Sequence, residues 1–172
     1  MSVERLPLLQ LNAMDQSAFV SHIGWVYENS PWVAEGAWEI RPFSTIDDVH
    51  AAMERVVHSA TPQKQLALIQ EHPDLAARVC SVNELTVASR REQTDAGLDR
   101  LPADEAEQMV HHNAIYRKKF GFPFILCARL NNARTIREVL AKRLENSRAK
   151  EIEVALEEIS KIALLRLADA IS

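Results

Sequence analysis

The residue best suited to acid–base chemistry is His72, which directly precedes Pro73. An imidazole titrates near neutral pH and can act as a general acid or base. Proline disfavours helical geometry in the residue before it, so a preceding helix is expected to end at Glu71 or His72. His72 is therefore predicted to be held at a helix end. A structural histidine satisfied by hydrogen bonds is the alternative interpretation.

A second group of polar residues is the stretch SRREQ, residues 89–93. Ser89 and Glu92 have the spacing of a capping box, in which each side chain accepts a hydrogen bond from the backbone N–H of the other residue. This pattern predicts a helix that begins at Ser89, and capping alone would explain both residues. The functional alternative is that Glu92 faces a ligand.

Arg166 interrupts the apolar stripe of the last predicted helix. At 100° per residue, that stripe consists of Ile152, Leu156, Ile159, Ala163 and Ala170. A guanidinium on a buried stripe needs an anionic partner, unless it snorkels from the edge of the core. Arg166 is therefore a candidate either for an ion pair inside the protein or for binding an anionic ligand.

These residues are connected by helices, and the clearest helix boundary lies at Gly121 and Pro123. Gly121 can adopt the left-handed conformation that closes a helix, and Pro123 lacks a backbone donor. A helix is therefore expected to end near Phe120. The apolar residues 124–128 are predicted to form a short buried extended piece, whose backbone N–H and C=O groups need partners in the protein or on a ligand.

Caps and apolar periodicity predict the other helices. The predicted starts are Asp15 or Ser17, Ser44 with Asp47, Thr61 with Pro62, Pro102, and Asn146 with Ser147. The first of these helices should end near Ser30. Residues 32–43 are expected to be irregular, and residues 81–86 to form a polar connector. The sequence thus predicts an all-α fold of about eight helices without a substantial sheet, as one compact domain over residues 1–172.

Composition excludes several classes of function. The net charge of -4 and the pI near 5.9 argue against nucleic acid or an anionic membrane as the main partner. No apolar run approaches the length of a membrane span, and the first residues lack the pattern of a secretory signal. Cys80 and Cys127 form no disulfide framework and fit a reducing compartment. We therefore predict a soluble cytoplasmic protein, with Cys127 as a small core residue.

Motifs for metals and nucleotide cofactors are absent from the sequence. His111 and His112 are adjacent and point about 100° apart on a helix, and neither HExxH nor a paired CxxC occurs. No GxGxxG, GKS or GKT phosphate loop or GxSxG elbow is present. Chemistry without a metal or a cofactor is predicted.

Taken together, five segments resemble the OHCU decarboxylase family. They are RPF (41–43), HPDLA (72–76), SRREQTDAGL (89–98), YRKKFGFPFILCA (116–128) and EIEVALEEISKIALLRL (151–167). OHCU is 2-oxo-4-hydroxy-4-carboxy-5-ureidoimidazoline, an intermediate of urate degradation that the family decarboxylates to (S)-allantoin. The resemblance spans nearly the whole chain. It implies an all-helical enzyme that needs no cofactor and is usually a homodimer.

The resemblance also implies roles for individual residues. His72 would be the catalytic acid, and Glu92 would orient the hydroxyl or ureido group, although a role of Glu92 as base stays open. Arg166 would balance negative charge, and Arg129 is a further candidate. Glu71 stands where the family more often has a small residue. The expected substrate contacts are Pro73, Ser89, Arg90, Arg91, Glu92, Gln93, Phe124, Ile125, Leu126, Cys127, Ala128 and Arg166.

Two functions of other classes compete with this interpretation. A non-catalytic helical module that binds a small ureido compound or a partner protein needs a pocket but no titrating His72. A metal-assisted hydrolase of ureides needs His72, Asp74 and a distant carboxylate to gather on one ion. Metal analysis of the purified protein distinguishes the metal-assisted hydrolase from the decarboxylase. Formation of (S)-allantoin from OHCU distinguishes the decarboxylase from the non-catalytic module.

Overall fold

A computed structural model of the chain describes residues 5–75 and 87–172. Three short 3-10 turns in these ranges cover Gly24–Val26, Leu98–Arg100 and Ala128–Leu130. The β pairing recorded there is one isolated parallel bridge between Leu6 and Ile171. The predicted all-α class is confirmed. The described residues form nine α-helices: α1 (Leu8–Ala13), α2 (Gln16–Ile23), α3 (Trp32–Trp38), α4 (Ile46–Ser59), α5 (Pro62–Glu71), α6 (Val87–Asp95), α7 (Ala103–Phe120), α8 (Ala133–Arg143) and α9 (Arg148–Ala170).

The described residues group into two compact units. The first consists of the described residues up to Glu71 together with Ser160–Ser172, and the second of the described residues within His72–Ile159. The assignment of residues 1–172 to one domain stays a prediction. Cys80 and the polar connector predicted at 81–86 lie outside the described residues. No helix among those described is long and apolar enough to cross a membrane.

Helix α3 of the first unit contacts both α2 and α4. The prediction of irregular structure over 32–43 is wrong for residues 32–38, which form α3. A helix this short is stabilised by packing rather than by its own propensity, and Val33 and Ala37 are fully buried one turn apart. Gly36 permits close approach to α4, because a Cβ built there would lie 2.8 Å from Cγ2 of Val56.

Arg41 of the RPF motif holds the main chain of the first unit. Its Nη1 donates to the carbonyls of Asn12 and Met14 at 3.0 and 2.8 Å, and its Nε donates to the Trp38 carbonyl at 2.7 Å. The guanidinium lies 3.9 Å from the centre of the Trp38 ring. Phe43 exchanges two hydrogen bonds with the Asn12 side chain. Through these contacts the RPF motif ties the chain after α3 to the end of α1, which is a structural role.

Three predicted helix caps are confirmed, namely Asp15 for α2, Thr61 for α5 and Ser147 for α9. The start of α4 is shifted by one residue, because its capping box is Thr45 with Asp48 rather than Ser44 with Asp47. Both pairs have the same spacing, so local rules do not separate them. Helix α2 ends at Ile23 and a 3-10 turn continues to Val26, which is earlier than predicted.

The second unit confirms the predicted end of α7. The helix stops at Phe120, and Gly121 adopts φ 77° and donates its N–H to the Arg117 carbonyl at 2.9 Å. The chain then turns back so that aromatic rings surround Tyr116. The ring centres of Phe120 and Phe124 lie 4.6 and 5.3 Å from that of Tyr116. This cluster places the start of the 124–128 segment against α7.

The buried face of α9 is turned relative to the predicted stripe. Ile152 and Leu156 are only half-buried, whereas Glu151 and Ala155 are fully buried. Ile159, Ala163, Arg166 and Ala170 are buried as predicted. The prediction followed apolar residues only. It missed a face on which the carboxylates of Glu151 and Glu158 are buried with hydrogen-bond donors.

Candidate active site

His72 lies directly after α5, whose last residue is Glu71. The predicted position at a helix end is confirmed. Only 4 % of the residue is exposed, so the imidazole is buried rather than presented to solvent. Burial restricts its orientation, as a general acid requires. Pro73, the next predicted contact, is half-buried.

Asp74 connects this segment to α7. Its Oδ2 accepts hydrogen bonds from Nδ2 of Asn113 at 2.9 Å and from Nη1 of Arg117 at 3.0 Å. The next residue, Leu75, donates its N–H to the Phe124 carbonyl at 3.2 Å. The structure therefore joins the His72 segment directly to the predicted binding segment 124–128.

Residues 124–128 are buried, and they are not helical before Ala128, as predicted. Three successive peptide groups of this segment are each held from one side by the protein. Phe124 C=O accepts from the N–H of Leu75 at 3.2 Å, Ile125 C=O from Nη1 of Arg143 at 2.6 Å, and Cys127 N–H donates to Oε2 of Glu158 at 2.8 Å.

On the opposite side, three groups of these peptides are open, which here means without a hydrogen-bond partner among the described residues. Within the described ranges, no hydrogen bond is formed by the N–H of Ile125 or by the N–H and C=O of Leu126. The C=O and N–H of a trans peptide point in opposite directions, so these groups point away from the protein contacts that hold the same peptides. Buried backbone groups need hydrogen-bond partners. A ligand with donors and acceptors would supply them.

Ser89 does not begin its helix, so the capping-box prediction is wrong. Helix α6 already includes Val87 and Ala88, and Ser89 is buried inside it. A side chain caps a helix only from the residue before its first turn. Local spacing identified the helix but placed its start after residues that are already helical.

Ser89, Glu92 and Gln93 share one face of α6, because residues three and four apart are neighbours on a helix. Ser89 and Gln93 are buried and Glu92 is half-buried. The Oε1 of Gln93 has no hydrogen-bond partner in the part of the chain that the structure describes. Arg90 and Arg91 are exposed on the other side. The substrate contacts expected for all five residues of 89–93 stay a prediction.

The face of α6 that carries Glu92 lies near the binding segment. Helix α6 contacts the 3-10 turn Ala128–Leu130. Burial raises the pKa of the Cys127 thiol, and the negative charges of Glu158 and Glu92 raise it further. Such a thiol stays protonated, which fits a core residue rather than a nucleophile. Three predicted parts of the site, 72–75, 89–93 and 124–128, are therefore brought together in the second unit.

Arg166 belongs to the first unit and has a protein carboxylate beside it. Its Nη2 donates to Oε1 of Glu28 at 2.9 Å, and its Nη1 donates to the Val26 carbonyl at 3.2 Å. The side chains of Arg166 and Glu28 are 2 % and 3 % exposed. Of the two alternatives for Arg166, an internal ion pair is thus present. Its substrate contact stays a prediction, as does a role for the exposed Arg129.

Sequence reasoning missed a buried polar cluster around Glu151. Arg143 donates to the Glu151 carboxylate from Nε and Nη2, Tyr116 donates its hydroxyl proton, and Asn146 donates from Nδ2 at 2.7 Å. Burial and the bond to Glu151 raise the pKa of Tyr116, so the phenol stays protonated. Arg143 lies one turn after Leu140 on the buried face of α8. Like Arg166, Arg143 is a charged residue on the apolar stripe of a helix, and this signal in the sequence could have identified it.

Acidification is expected to destabilise the protein through Glu151. Burial alone raises the pKa of Glu151, but hydrogen bonds from Arg143, Tyr116 and Asn146 outweigh it and hold the pKa below its ordinary value. The stability that results is present above the pKa of the carboxyl in the unfolded chain and is lost as the pH falls through its pKa in the folded protein.

We expect the free energy of unfolding of Glu151→Gln to fall less steeply on acidification than that of the wild type. Denaturant unfolding across acidic pH, with the exposed Glu157→Gln as control, measures this, and parallel curves for all three proteins would contradict it.

The metal-assisted alternative requires His72 and Asp74 to share an ion. Within residues 5–75 and 87–172, no three His, Cys, Asp or Glu side chains are grouped to hold a metal. The Oδ2 of Asp74 instead accepts from Asn113 and Arg117. Chelation during an activity assay tests this alternative directly.

Comparisons with known proteins agree with the resemblance in the sequence. The family model described as OHCU decarboxylase matches residues 12–168. A 2-oxo-4-hydroxy-4-carboxy-5-ureidoimidazoline decarboxylase of Halalkalicoccus jeotgali is 45% identical, with 95% of this chain and 90% of that protein covered. A protein of the same name from Haloferax volcanii is 41% identical, with 99% of each covered. A crystal structure of (S)-allantoin synthase is similar with a TM-score of 0.79 and 29% identity, and the match covers 97% of this chain and 54% of that one.

Proposed function

Because this chain belongs to the OHCU decarboxylase family, we propose that it decarboxylates 2-oxo-4-hydroxy-4-carboxy-5-ureidoimidazoline to (S)-allantoin in urate degradation. The observation that carries the proposal is the gathering of His72, the inner face of α6 and the segment 124–128 in one unit. Acid chemistry, a carboxylate and open backbone groups are thereby available to one ligand.

His72 acts as the proton donor in this proposal. When the bond from the hydroxyl-bearing ring carbon to the carboxylate breaks, CO₂ leaves and the electron pair passes into the adjacent C=N bond, so that negative charge develops on the ring nitrogen. The enzyme must stabilise that charge with hydrogen bonds. The hydroxyl then becomes the ring carbonyl as its proton moves to the nitrogen, and the ureido-bearing carbon is protonated on one face. A buried histidine at a helix end can deliver the proton from one direction, which accounts for a single hand of product.

The remaining groups orient the substrate. Glu92 accepts from the hydroxyl or ureido group, and the Oε1 of Gln93 accepts from a second ureido N–H. The open N–H groups of Ile125 and Leu126 donate to ring oxygen or nitrogen, and the Leu126 carbonyl accepts from a ring N–H. These assignments use polar groups that are buried or half-buried in the second unit.

The decisive experiment generates OHCU from urate in situ and follows its decay and the handedness of allantoin by circular dichroism. We expect the purified protein to accelerate the decay and to produce the (S) form, with or without exhaustive chelation. Uncatalysed decay with racemic product would favour a non-catalytic binding module. Activity lost on chelation and restored only by added metal would favour the metal-assisted alternative.

Glu92→Gln is expected to lower turnover while stability stays close to wild type. Glutamine keeps the size of the side chain but removes one charged hydrogen-bond acceptor, worth roughly 10- to 100-fold in rate. Kinetics and thermal melting should be compared with Asp99→Asn, an exposed acidic position beyond α6. A lower melting temperature with unchanged turnover per folded molecule would instead indicate a structural role for Glu92.

We further propose a cytoplasmic homodimer whose partner is a small ureidoimidazoline and not a nucleic acid. The family resemblance supports the homodimer, and the net charge of -4 supports the absence of a nucleic-acid partner. Light scattering coupled to size-exclusion chromatography measures the mass in solution. A mass of one chain at assay concentrations would contradict the dimer without affecting the activity.

A further inference from the structure

Two buried charged side chains contact the peptide groups on either side of Leu126. Arg143 donates from Nη1 to the Ile125 carbonyl at 2.6 Å, and Glu158 accepts from the Cys127 N–H at 2.8 Å. Arg143 is 5 % exposed and Glu158 is 6 % exposed, so both contacts lie away from bulk water. Electrostatic effects are stronger in such an environment than in water.

Each of these contacts acts on a peptide group that Leu126 shares. The Ile125 carbonyl and the Leu126 N–H belong to one planar peptide, and the Leu126 carbonyl and the Cys127 N–H belong to the next. A cation at a carbonyl draws electron density from the peptide and makes its N–H a stronger donor. An anion at an N–H makes the carbonyl of the same peptide a stronger acceptor. Hydrogen bonds polarise one another in this way.

We propose that Arg143 and Glu158 are positioning residues that orient and strengthen the two open hydrogen-bonding groups of Leu126 for the substrate. The proposal rests on the proposed function. The matching ligand class is a cyclic amide or urea, whose neighbouring C=O and N–H groups accept from and donate to Leu126. A residue in an antiparallel strand pair exchanges both bonds with its partner in the same way.

The surroundings of Arg143 show why its contact with Ile125 is well defined. Its Nε and Nη2 are taken up by the Glu151 carboxylate, which leaves Nη1 for the Ile125 carbonyl. The guanidinium also lies 4.7 Å from the centre of the Phe124 ring. A planar guanidinium held by a fork to a carboxylate has little freedom, whereas a lysine ammonium would not reproduce this geometry.

The test uses two substitutions that preserve size or charge. Arg143→Lys keeps a positive charge beside Glu151 but loses the fork, and Glu158→Gln keeps an acceptor oxygen for the Cys127 N–H but loses the charge. We expect each to raise KM for OHCU roughly tenfold, with a smaller change in kcat, since one binding hydrogen bond is weakened. Arg134→Met, at an exposed position of α8, is the matched control and should leave both constants unchanged.

NMR of the ligand-free protein separates polarisation from a general structural disturbance, because each substitution should act on one Leu126 group and leave the other at its wild-type shift. We expect the Leu126 amide proton to shift upfield in Arg143→Lys, and the Leu126 carbonyl carbon to shift upfield in Glu158→Gln. Wild-type shifts and an unchanged KM in both folded variants would overturn the proposal. If wild-type protein neither decarboxylates OHCU nor binds (S)-allantoin, the proposed function fails, and the substrate contact inferred for Leu126 fails with it. If the wild-type protein is active but the variants show wild-type shifts and KM, only the roles proposed for Arg143 and Glu158 fail.

Discussion

His72→Asn is expected to lower kcat/KM for OHCU roughly 10²- to 10⁴-fold, the contribution of a placed general acid. Asparagine can still form hydrogen bonds, but it cannot deliver a proton. The segment should keep its position, because Asp74 is bound to Asn113 and Arg117 and Leu75 is bound to Phe124 independently of the imidazole. Circular dichroism of the allantoin formed and thermal melting of the variant measure the two effects.

His111→Asn is the matched control for this substitution, since His111 is exposed on α7. It should change neither kinetics nor stability. If His72→Asn retained near wild-type acceleration and the (S) product, His72 would have no part in proton transfer. A variant that is largely unfolded would be assayed per folded molecule, which keeps the catalytic comparison valid.

Arg166→Met is expected to cause the largest loss of stability. It removes the guanidinium from beside the Glu28 carboxylate, which is 3 % exposed. Removing one partner of a buried ion pair typically costs about 3–5 kcal/mol, because the other charge stays desolvated. Without an internal carboxylate beside Arg166, the same substitution would keep or raise stability. Denaturant unfolding of the variant therefore reports directly on the pair.

The double variant Glu28→Gln/Arg166→Met separates the ion pair from a substrate contact. It should recover part of the stability lost in Arg166→Met, because no buried carboxylate is left beside the new apolar side chain. Stability unchanged in the single variant would contradict a strong pair. Unchanged kinetics in its folded fraction would make Arg166 a structural residue only and remove it from the predicted substrate contacts.

Features decided by a few adjacent residues could be predicted from the sequence. Gly121 and Pro123 end α7 at Phe120, and Pro73 ends α5 before His72. Glycine permits the left-handed conformation that closes a helix, and proline restricts the residue before it, whatever the rest of the chain does. Asp15, Thr61 and Ser147 cap their helices for similarly local reasons. The all-α class, and through the combination of motifs the family, follow from these patterns and their order.

Where local rules allowed more than one answer, packing chose between them. Thr45 rather than Ser44 caps α4, although both have an acidic residue three positions later. Ser89 is buried inside α6, although its spacing to Glu92 is that of a capping box. The residues of α3 show too little periodicity for prediction, and burial of Val33 and Ala37 makes them helical. Such choices depend on which surface becomes buried, which short windows of sequence do not contain.

Partners of buried charges were decided by the tertiary structure alone. Arg166 stands out in the sequence as a charge on an apolar stripe, but its partner Glu28 lies 138 residues away. Likewise, Arg143 and Glu158 meet the main chain of the 124–128 segment only after α8 and α9 are folded against it. A buried charge requires a partner, and this requirement can be read from the sequence. Which group meets it depends on distances between helices, because many carboxylates and carbonyls in the chain could satisfy the same need.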